Sequence, residues 1–595
     1  MSWKPPFSEA ISRRNVLKGA ASAVAGAAAT VGAGAALGGA VLPGTAAFAQ
    51  DATPAASPAS PAGAQVDVTS TEPQVTLPLT AEKKTLKVTV ASSASVEDFS
   101  TNEFTAWLEE RTNVHVEWEI VPAADDAERN TALNVRVAGG DYGDVIMNFS
   151  PQPTVLQLYG QQGVFQPLND LIDKEGTFTQ RAYKDYPLAK TAITASDGKI
   201  YGLSQVNDCY HCSMSQKLWI NKVWLDNLGL AMPTTTDEYA DVLRAFKTGD
   251  PNKNGKADEF PLSGSSSTQV WHGSLDDYFM NSFIYHPGNK LRLIVLDGKV
   301  TPIYTQDAWK EGIKYLVGLY KEGLIDPETF TRDRDQLRQV GDGNGGPDVI
   351  LGSVPAGWWG EFTNYNPALK GASWEQYTSV PPLKGPGGVQ YAGFNPYSAF
   401  SNATFMITDK ATDPDLAFKW ADSLGHIEVT QRSIFGALDR DWAWAKEGEK
   451  GIDGEQAWWR SITDIANVPT QNAHWSQMGP SFRSTKTRLS QYVAPEAAPR
   501  DVEVILFNQT KDNYEPYKQP SEMTLPPLYF SPDQAQTVAE LTPTIQAYVD
   551  QTFAQAVTGQ IDIEQVWADY ITTLGSMGLD NFISMHQAAV DANKG

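Results

Sequence analysis

The stretch TLKVTVASSASVEDFSTNEFTAWLEERTNVHVEWEIV, Thr85 to Val121, decides the fold. Leu86, Val88 and Val90 alternate with polar residues at the period of a half-buried strand, and Val114, Val116, Trp118 and Ile120 repeat the pattern. Between them, Glu103 to Arg111 reads as a helix. A second helix is expected over Ala127 to Ala138, stopping at Gly139-Gly140, before a third strand in DVIMNF from Asp144. Strand, helix, strand, helix, strand opens an α/β sheet with right-handed crossovers. Ligands of such sheets gather beyond the carboxyl ends of the strands, which makes Ser92 to Asp98 and Asn148 to Ser150 candidate pocket edges.

On the amino-terminal side, Arg13 and Arg14 precede a long, weakly hydrophobic Ala/Gly segment that ends at Ala47-Phe48-Ala49, a small-x-small cleavage signal. Residues 1–49 therefore resemble a twin-arginine export signal. The competing reading is a membrane anchor over Gly19 to Leu42, but Ala and Gly contribute little transfer free energy. No cysteine lies near the cleavage point, so a Cys-anchored lipoprotein is not expected. Residues 50–84, rich in Ala, Pro, Ser and Thr, read as a flexible linker to an extracytoplasmic body.

On the carboxyl-terminal side, 595 residues exceed one ordinary domain. The formal charge of −24 repels phosphate backbones and anionic membranes, so no nucleic acid partner is expected. PTTTDEYADVLRAFKTGD opens with Thr235 three residues before Glu238, a capping box, and its amphipathic helix runs into GDPNKNGKADEFPL. Further helices are expected from Ser531-Pro532 onward and on both sides of Gly575. There is no HExxH pair, no GxSxG elbow and no P-loop, so no catalytic residue is assigned and an enzyme is not expected. GDGNGGPD from Gly341 precedes a strand instead of linking strand to helix, and reads as a loop. Cys209-Tyr210-His211-Cys212 leaves four readings open: half a zinc site, a redox pair, a local disulfide, or two small core residues.

The loop after the capped helix fits a calcium shell. Counting Asp250 as the first position, Asp250, Asn252, Asn254 and Asp258 place side-chain oxygens in alternation, Gly255 permits the tight turn, and Lys256 offers its carbonyl. Pro261 stands where an EF-hand has its closing glutamate, so Glu259 would supply the late carboxylate. The alternative is an Asp/Asn/Gly turn without metal. Tryptophans, 17 in all, fall repeatedly in Gly/Pro/Asn contexts such as PAGWWGEF and LDRDWAWAK. Indole faces beside carboxylates and amides suit sugars, whose C–H faces stack while their hydroxyls hydrogen-bond.

KLWINKVWLDNLGL, DPNKNGKADEFPLSG, PSEMTLPPLYFSPDQ and ITTLGSMGLDNFISMHQAA together resemble family 1 extracellular solute-binding proteins, in the branch of lipoprotein-like and alginate-oligosaccharide-binding receptors of ABC importers. The resemblance runs from about Thr85 to the carboxyl terminus. It implies an α/β, two-lobed periplasmic-binding-protein-like fold of type II with a hinge between the lobes. It also implies a carbohydrate ligand, an oligosaccharide in particular, delivered to ABC permease subunits, with structural Ca²⁺ on Asp250, Asn252, Asn254, Lys256, Asp258 and Glu259. The expected lobes are 85–205 with 400–435, and 206–399 with 436–595. Crossovers are expected near Leu203 to Lys217, Asn395 to Phe405 and Phe435 to Asp441. Expected ligand-facing residues are Asn148, Asp208, Tyr210, Trp271, Trp358, Trp359, Glu361, Asn395, Tyr397, Trp442 and Trp444, with Trp271 and Trp442 the first candidates for stacking. A monomer is expected. A peptide-binding or sensory receptor of the same fold, and an exported carbohydrate-active enzyme, are the alternatives; the sugar itself is not specified.

Overall fold

The strands, in chain order, are β1 (Lys84–Ala91), β2 (Val114–Val121), β3 (Val145–Met147), β4 (Leu203–Asn207), β5 (Leu218–Asn221), β6 (Phe260–Leu262), β7 (Leu293–Leu296) and β8 (Lys299–Pro302). They continue with β9 (Leu351–Pro355), β10 (Tyr377–Val380), β11 (Phe400–Ile407), β12 (Trp442–Trp444), β13 (Trp459–Ser461), β14 (Phe482–Arg483) and β15 (Gln491–Tyr492). This computed structural model describes residues 64–123, 125–463 and 470–592. The expected export signal, 1–49, lies outside the described residues, as does the first part of the expected linker.

The opening stretch folds as its periodicity demands. Leu86, Val88 and Val90 are buried, and β1 pairs in parallel with β2 from Lys84↔Val114 to Ala91↔Val121 and with β3 from Val88↔Val145 to Val90↔Met147. The helix Glu103–Thr112 between them starts where the Asn102 side chain accepts from Phe104 N and ends at Asn113, whose φ of 58° puts it in the left-handed region. The first sheet has the order β14-β4-β11-β3-β1-β2, and β11 runs antiparallel to both β3 and β4. Val88, Met147, Phe405, Trp420 and Trp475 share its core.

A second sheet, β10-β5-β9-β6, carries a separate core. Leu218, Ile220, Tyr239, Leu243 and Phe246 meet there with Trp309 and with residues of three carboxyl-terminal helices, Ile545, Phe553, Leu574 and Phe582 among them. Those helices, Pro532–Val557, Ile563–Ser576 and Leu579–Ala592, match the expectation from sequence, and the first has a capping box of Ser531 and Gln534. Two sheets with two cores make this a two-lobed α/β fold. The chain crosses between them from β4 to β5 and from β10 to β11.

Two expectations need correction. The linker does not extend to residue 84: Val68 is buried, Val66 N donates to Ala445 O at 2.9 Å, and Glu72 pairs with Arg181 at 2.7 Å, so residues from about 64 onward are packed against the body. Nor does residue 436 begin an unbroken second-lobe segment. Phe435 leads instead into a small sheet, β12-β13-β15, Trp475 is buried edge-on to Phe104 and Trp118 in the first core, and β14 pairs with β4. Only beyond Arg483 does the chain rejoin the second lobe, where Leu506 packs with Trp219 and Leu351.

Candidate functional site

The segment between β4 and β5 is held rigidly. Cys209 and Cys212 form a disulfide, which removes the readings as half a zinc site and as two unbonded core residues, and a 3₁₀ turn, Tyr210–Met214, follows the first of them. Asn395 N donates to Ser213 O at 2.9 Å and so ties the second crossover to the first. Lys217, fully buried at the start of β5, donates to His211 O at 3.1 Å and to Met214 O, and burial pulls its ammonium down to about 7.

A hollow of about 490 Å³ opens against this crossover on the second lobe. Its walls carry Ser215 and Gln216, the hydroxyl run Ser265 to Thr268, Trp271 and His272, Asn289 and Asn395. Trp271 is 37% exposed, unusual for an indole. It is braced from behind by Gly357, where any Cβ would overlap the Trp271 ring. Gly357 N donates to Trp271 O at 2.8 Å, and Trp271 N donates to Glu361 Oε2 at 3.3 Å. The same Glu361 accepts from Trp358 Nε1 at 3.2 Å and pairs with Arg334 at 3.0 Å. Trp271, Trp358 and Glu361, expected from sequence, are therefore one assembly: an exposed ring held by a carboxylate.

A neighbouring hollow of about 340 Å³ shares Ser213, Phe394, Asn395 and Ser398 with the first. It draws Tyr186 and Phe400 from the first lobe and Asp208 and Tyr210 from the crossover. Asp208 Oδ2 accepts from Tyr186 O–H at 2.8 Å, and Tyr210 donates to Glu515. Burial, reinforced by these carboxylates, pushes both phenols well above their ordinary range.

Other expected residues are placed elsewhere. Trp442 is 0% exposed and donates to Gly436 O at 3.0 Å, so its ring faces protein on both sides and stacks on nothing external. Trp359 is likewise buried, stacked on Trp374 with centroids 5.7 Å apart. Trp444 lies edge-on to Trp442 in the small sheet. Asn148 is buried and accepts from Gly479 N at 3.0 Å, tying a first-lobe loop together, and Tyr397 is half-buried with its N–H turned to Asn395 Oδ1. None of these five lines either hollow. What sequence reasoning missed is Ser265 to Thr268 with Ser215, Gln216 and His272. The run GSSST directly follows the carboxyl end of β6, and the strand-end rule would have found it.

The loop beyond the helix Thr236–Thr248 is folded for oxygen donors turned inward. Asp250 and Lys253 take φ of 46° and 59°, and Gly255 takes 73°. Asp250 accepts from Asn254 N at 3.1 Å and from Gly255 N, while Asn254 Oδ1 accepts from Lys256 N at 2.8 Å. Asn252 Oδ1 also accepts from Asn254 N, and Asn254 Nδ2 lies 3.1 Å from Asp258 Oδ1. Glu259 Oε1 is buried without a protein partner, and burial together with the Asp258 and Asp250 carboxylates pushes its carboxyl up. A lone buried carboxylate oxygen beside two more carboxylates fits a hard cation. The cluster Asp276, Asp277 and His286 does not, because Arg292 Nε already bonds Asp276 at 2.8 Å.

Two lobes, a rigid crossover and a hollow walled by hydroxyls and a braced indole agree with a sequence comparison: the family model of the bacterial extracellular solute-binding protein matches residues 93–431. The chain belongs to that family. As a solute-binding protein it is 30% identical, over 542 residues, to the fructooligosaccharide ABC transporter substrate-binding protein FusA of Streptococcus pneumoniae serotype 4 (strain ATCC BAA-334 / TIGR4). The match covers 87% of this chain and 93% of FusA. The structure of S. pneumoniae FusA in complex with kestose aligns with TM-score 0.66 and 26% identity, covering 86% of this solute-binding protein and 99% of FusA. An EF-hand mutant of FusA in complex with fructo-nystose aligns with TM-score 0.64. An extracellular solute-binding protein from Bifidobacterium longum subsp. infantis has the same fold, with TM-score 0.73 and 24% identity over 86% of this chain and 98% of its own.

Proposed function

We propose that this solute-binding protein is the extracytoplasmic receptor of an ABC importer and holds an oligosaccharide between its lobes. The observation that carries the reading is Trp271, a ring left exposed in a polar hollow yet fixed by Gly357 and Glu361. An apolar face with hydroxyl and amide groups around it is complementary to a sugar ring. Asp208, Tyr210 and Asn395, carried by the two crossovers into the adjoining hollow, are the further contacts. Ligand bridging both lobes shifts an open-closed equilibrium, and the closed form is what membrane permease subunits recognise. Export under the signal in residues 1–49, and a monomeric state, complete the proposal. The alignment with FusA along most of both chains makes fructooligosaccharides the first ligands to try.

Asp250, Asn252, Asn254, Lys256 through its carbonyl, Asp258 and Glu259 are proposed to hold Ca²⁺. The partnerless Glu259 oxygen supports this, and so does the EF-hand named for FusA. The ion would act on the scaffold, since neither hollow includes these residues. Isothermal titration with kestose, followed by a glycan array, tests the reading: intact, reversible capture of an oligosaccharide is expected, and absence of binding to every glycan would refute it.

A further inference from the structure

Ser215, His272 and Asp277 meet in the wall of the larger hollow. Ser215 Oγ lies 2.8 Å from His272 Nε2, and His272 Nδ1 lies 3.2 Å from Asp277 Oδ2. Resting on the oligosaccharide reading, we propose that these three residues form a relay presenting Ser215 Oγ to the ligand as a hydrogen-bond acceptor, so that the site selects a free sugar hydroxyl over an ether or ester oxygen at that position.

The direction follows from valence. A carboxylate only accepts, so Nδ1 carries a hydrogen; in its neutral form the ring then offers a lone pair at Nε2, and the Ser215 hydrogen is committed to it. What Ser215 turns to the hollow is oxygen lone pairs. A sugar hydroxyl can donate to them, whereas a methylated or acylated oxygen cannot.

The surroundings hold this arrangement. His272 takes a φ of 57°, a left-handed conformation that costs a non-glycine residue energy and persists only where neighbours enforce it. Gln216 Nε2 donates to Asp277 O at 2.6 Å and to His286 O at 3.2 Å, and Gly393 lies flush on the Gln216 amide, with no room for a Cβ. The Trp271 and His272 rings are 5.5 Å apart, which leaves Ser215 Oγ one side chain from the stacking platform. Serine, histidine and carboxylate in this order also make a nucleophilic triad. Acyl transfer would in addition need donors for an oxyanion, and the side-chain amide of the adjacent Gln216 is spent on two carbonyls.

Two measurements test the relay. In ¹⁵N-histidine NMR of the ligand-free protein, with His272 assigned by its loss in His272→Gln, the neutral ring should carry its hydrogen on Nδ1 and move it to Nε2 in Asp277→Ala. A ring already protonated at Nε2 in the parent protein would overturn the proposal, whatever sugar it binds. In titrations with kestose, Ser215→Ala and Asp277→Ala should each weaken binding about tenfold, and the double variant no more than either alone. Additive losses would overturn the relay, making Asp277 merely structural. Failure of the parent protein to bind kestose would count against fructooligosaccharides as ligands, while the NMR result still decides the relay. Release of p-nitrophenol from p-nitrophenyl acetate, abolished in Ser215→Ala, would overturn the acceptor role in favour of a nucleophile.

Discussion

Tryptophan is where single residues separate binding from stability. Trp271→Ala should weaken oligosaccharide binding at least about tenfold, on the order of 1.4 kcal/mol, with little change in melting temperature. Trp442→Ala, by emptying a fully buried site, should cost about 3–5 kcal/mol of stability. Equal effects of the two variants on affinity would remove the stacking model. Gly357→Ala should mimic Trp271→Ala, because its Cβ would displace the ring from behind; calorimetric titration reads both. Local sequence could not sort these rings. STQVWHGS and LDRDWAWAK both set tryptophan among small and polar residues, yet Trp271 owes its exposure to a glycine 86 positions away in the chain, and Trp442 its burial to Gly436 O and Trp444.

At the scale of elements, the calcium loop and the crossover carry the predictions. Chelation of Ca²⁺ should lower the melting temperature while leaving sugar specificity unchanged. Glu259→Gln should raise the melting temperature of the metal-free protein, by removing one of three crowded carboxylates, and should blunt the rise on adding Ca²⁺. Scanning calorimetry with and without the ion distinguishes the two effects. In the crossover, burial pushes the His211 imidazole from its ordinary 6.5 down to about 4. Between those values the unfolded chain takes up a proton that the folded chain refuses, so this contribution to stability is complete above 6.5 and is lost as pH falls toward 4. His426, His474 and His586 shift in the same direction, so the measurement is a difference: His211→Gln should flatten the decline of melting temperature across that window. Elements with strong local signals were legible, as the capping box at Thr235, the Ser531-Pro532 helix start and the alternation in β1 and β2 attest. Two-residue strands such as β14 and β15 have no period to read, and the packing of residues 64–84 rests on distant partners, Arg181 and Ala445.

Across the whole molecule, ligand should close the lobes, and small-angle scattering should register a smaller radius of gyration with kestose than without it. An unchanged radius at saturating sugar would contradict closure. The α/β sheet was legible from the opening strand-helix alternation and the two lobes from the family resemblance, but the allotment of residues beyond Phe435 was not, because Trp475 and β14 join the first lobe through contacts with residues hundreds of positions earlier. The strand order has a further consequence for how such a chain is made. β11 lies between β3 and β4, so the middle of the first sheet is contributed by Phe400–Ile407, long after its neighbours have left the ribosome. Until then β3 and β4 have an unfilled gap between them, and exposed strand edges invite wrong partners. Whatever carries this chain outward must keep it open until that segment has been synthesised, or else take it across already folded.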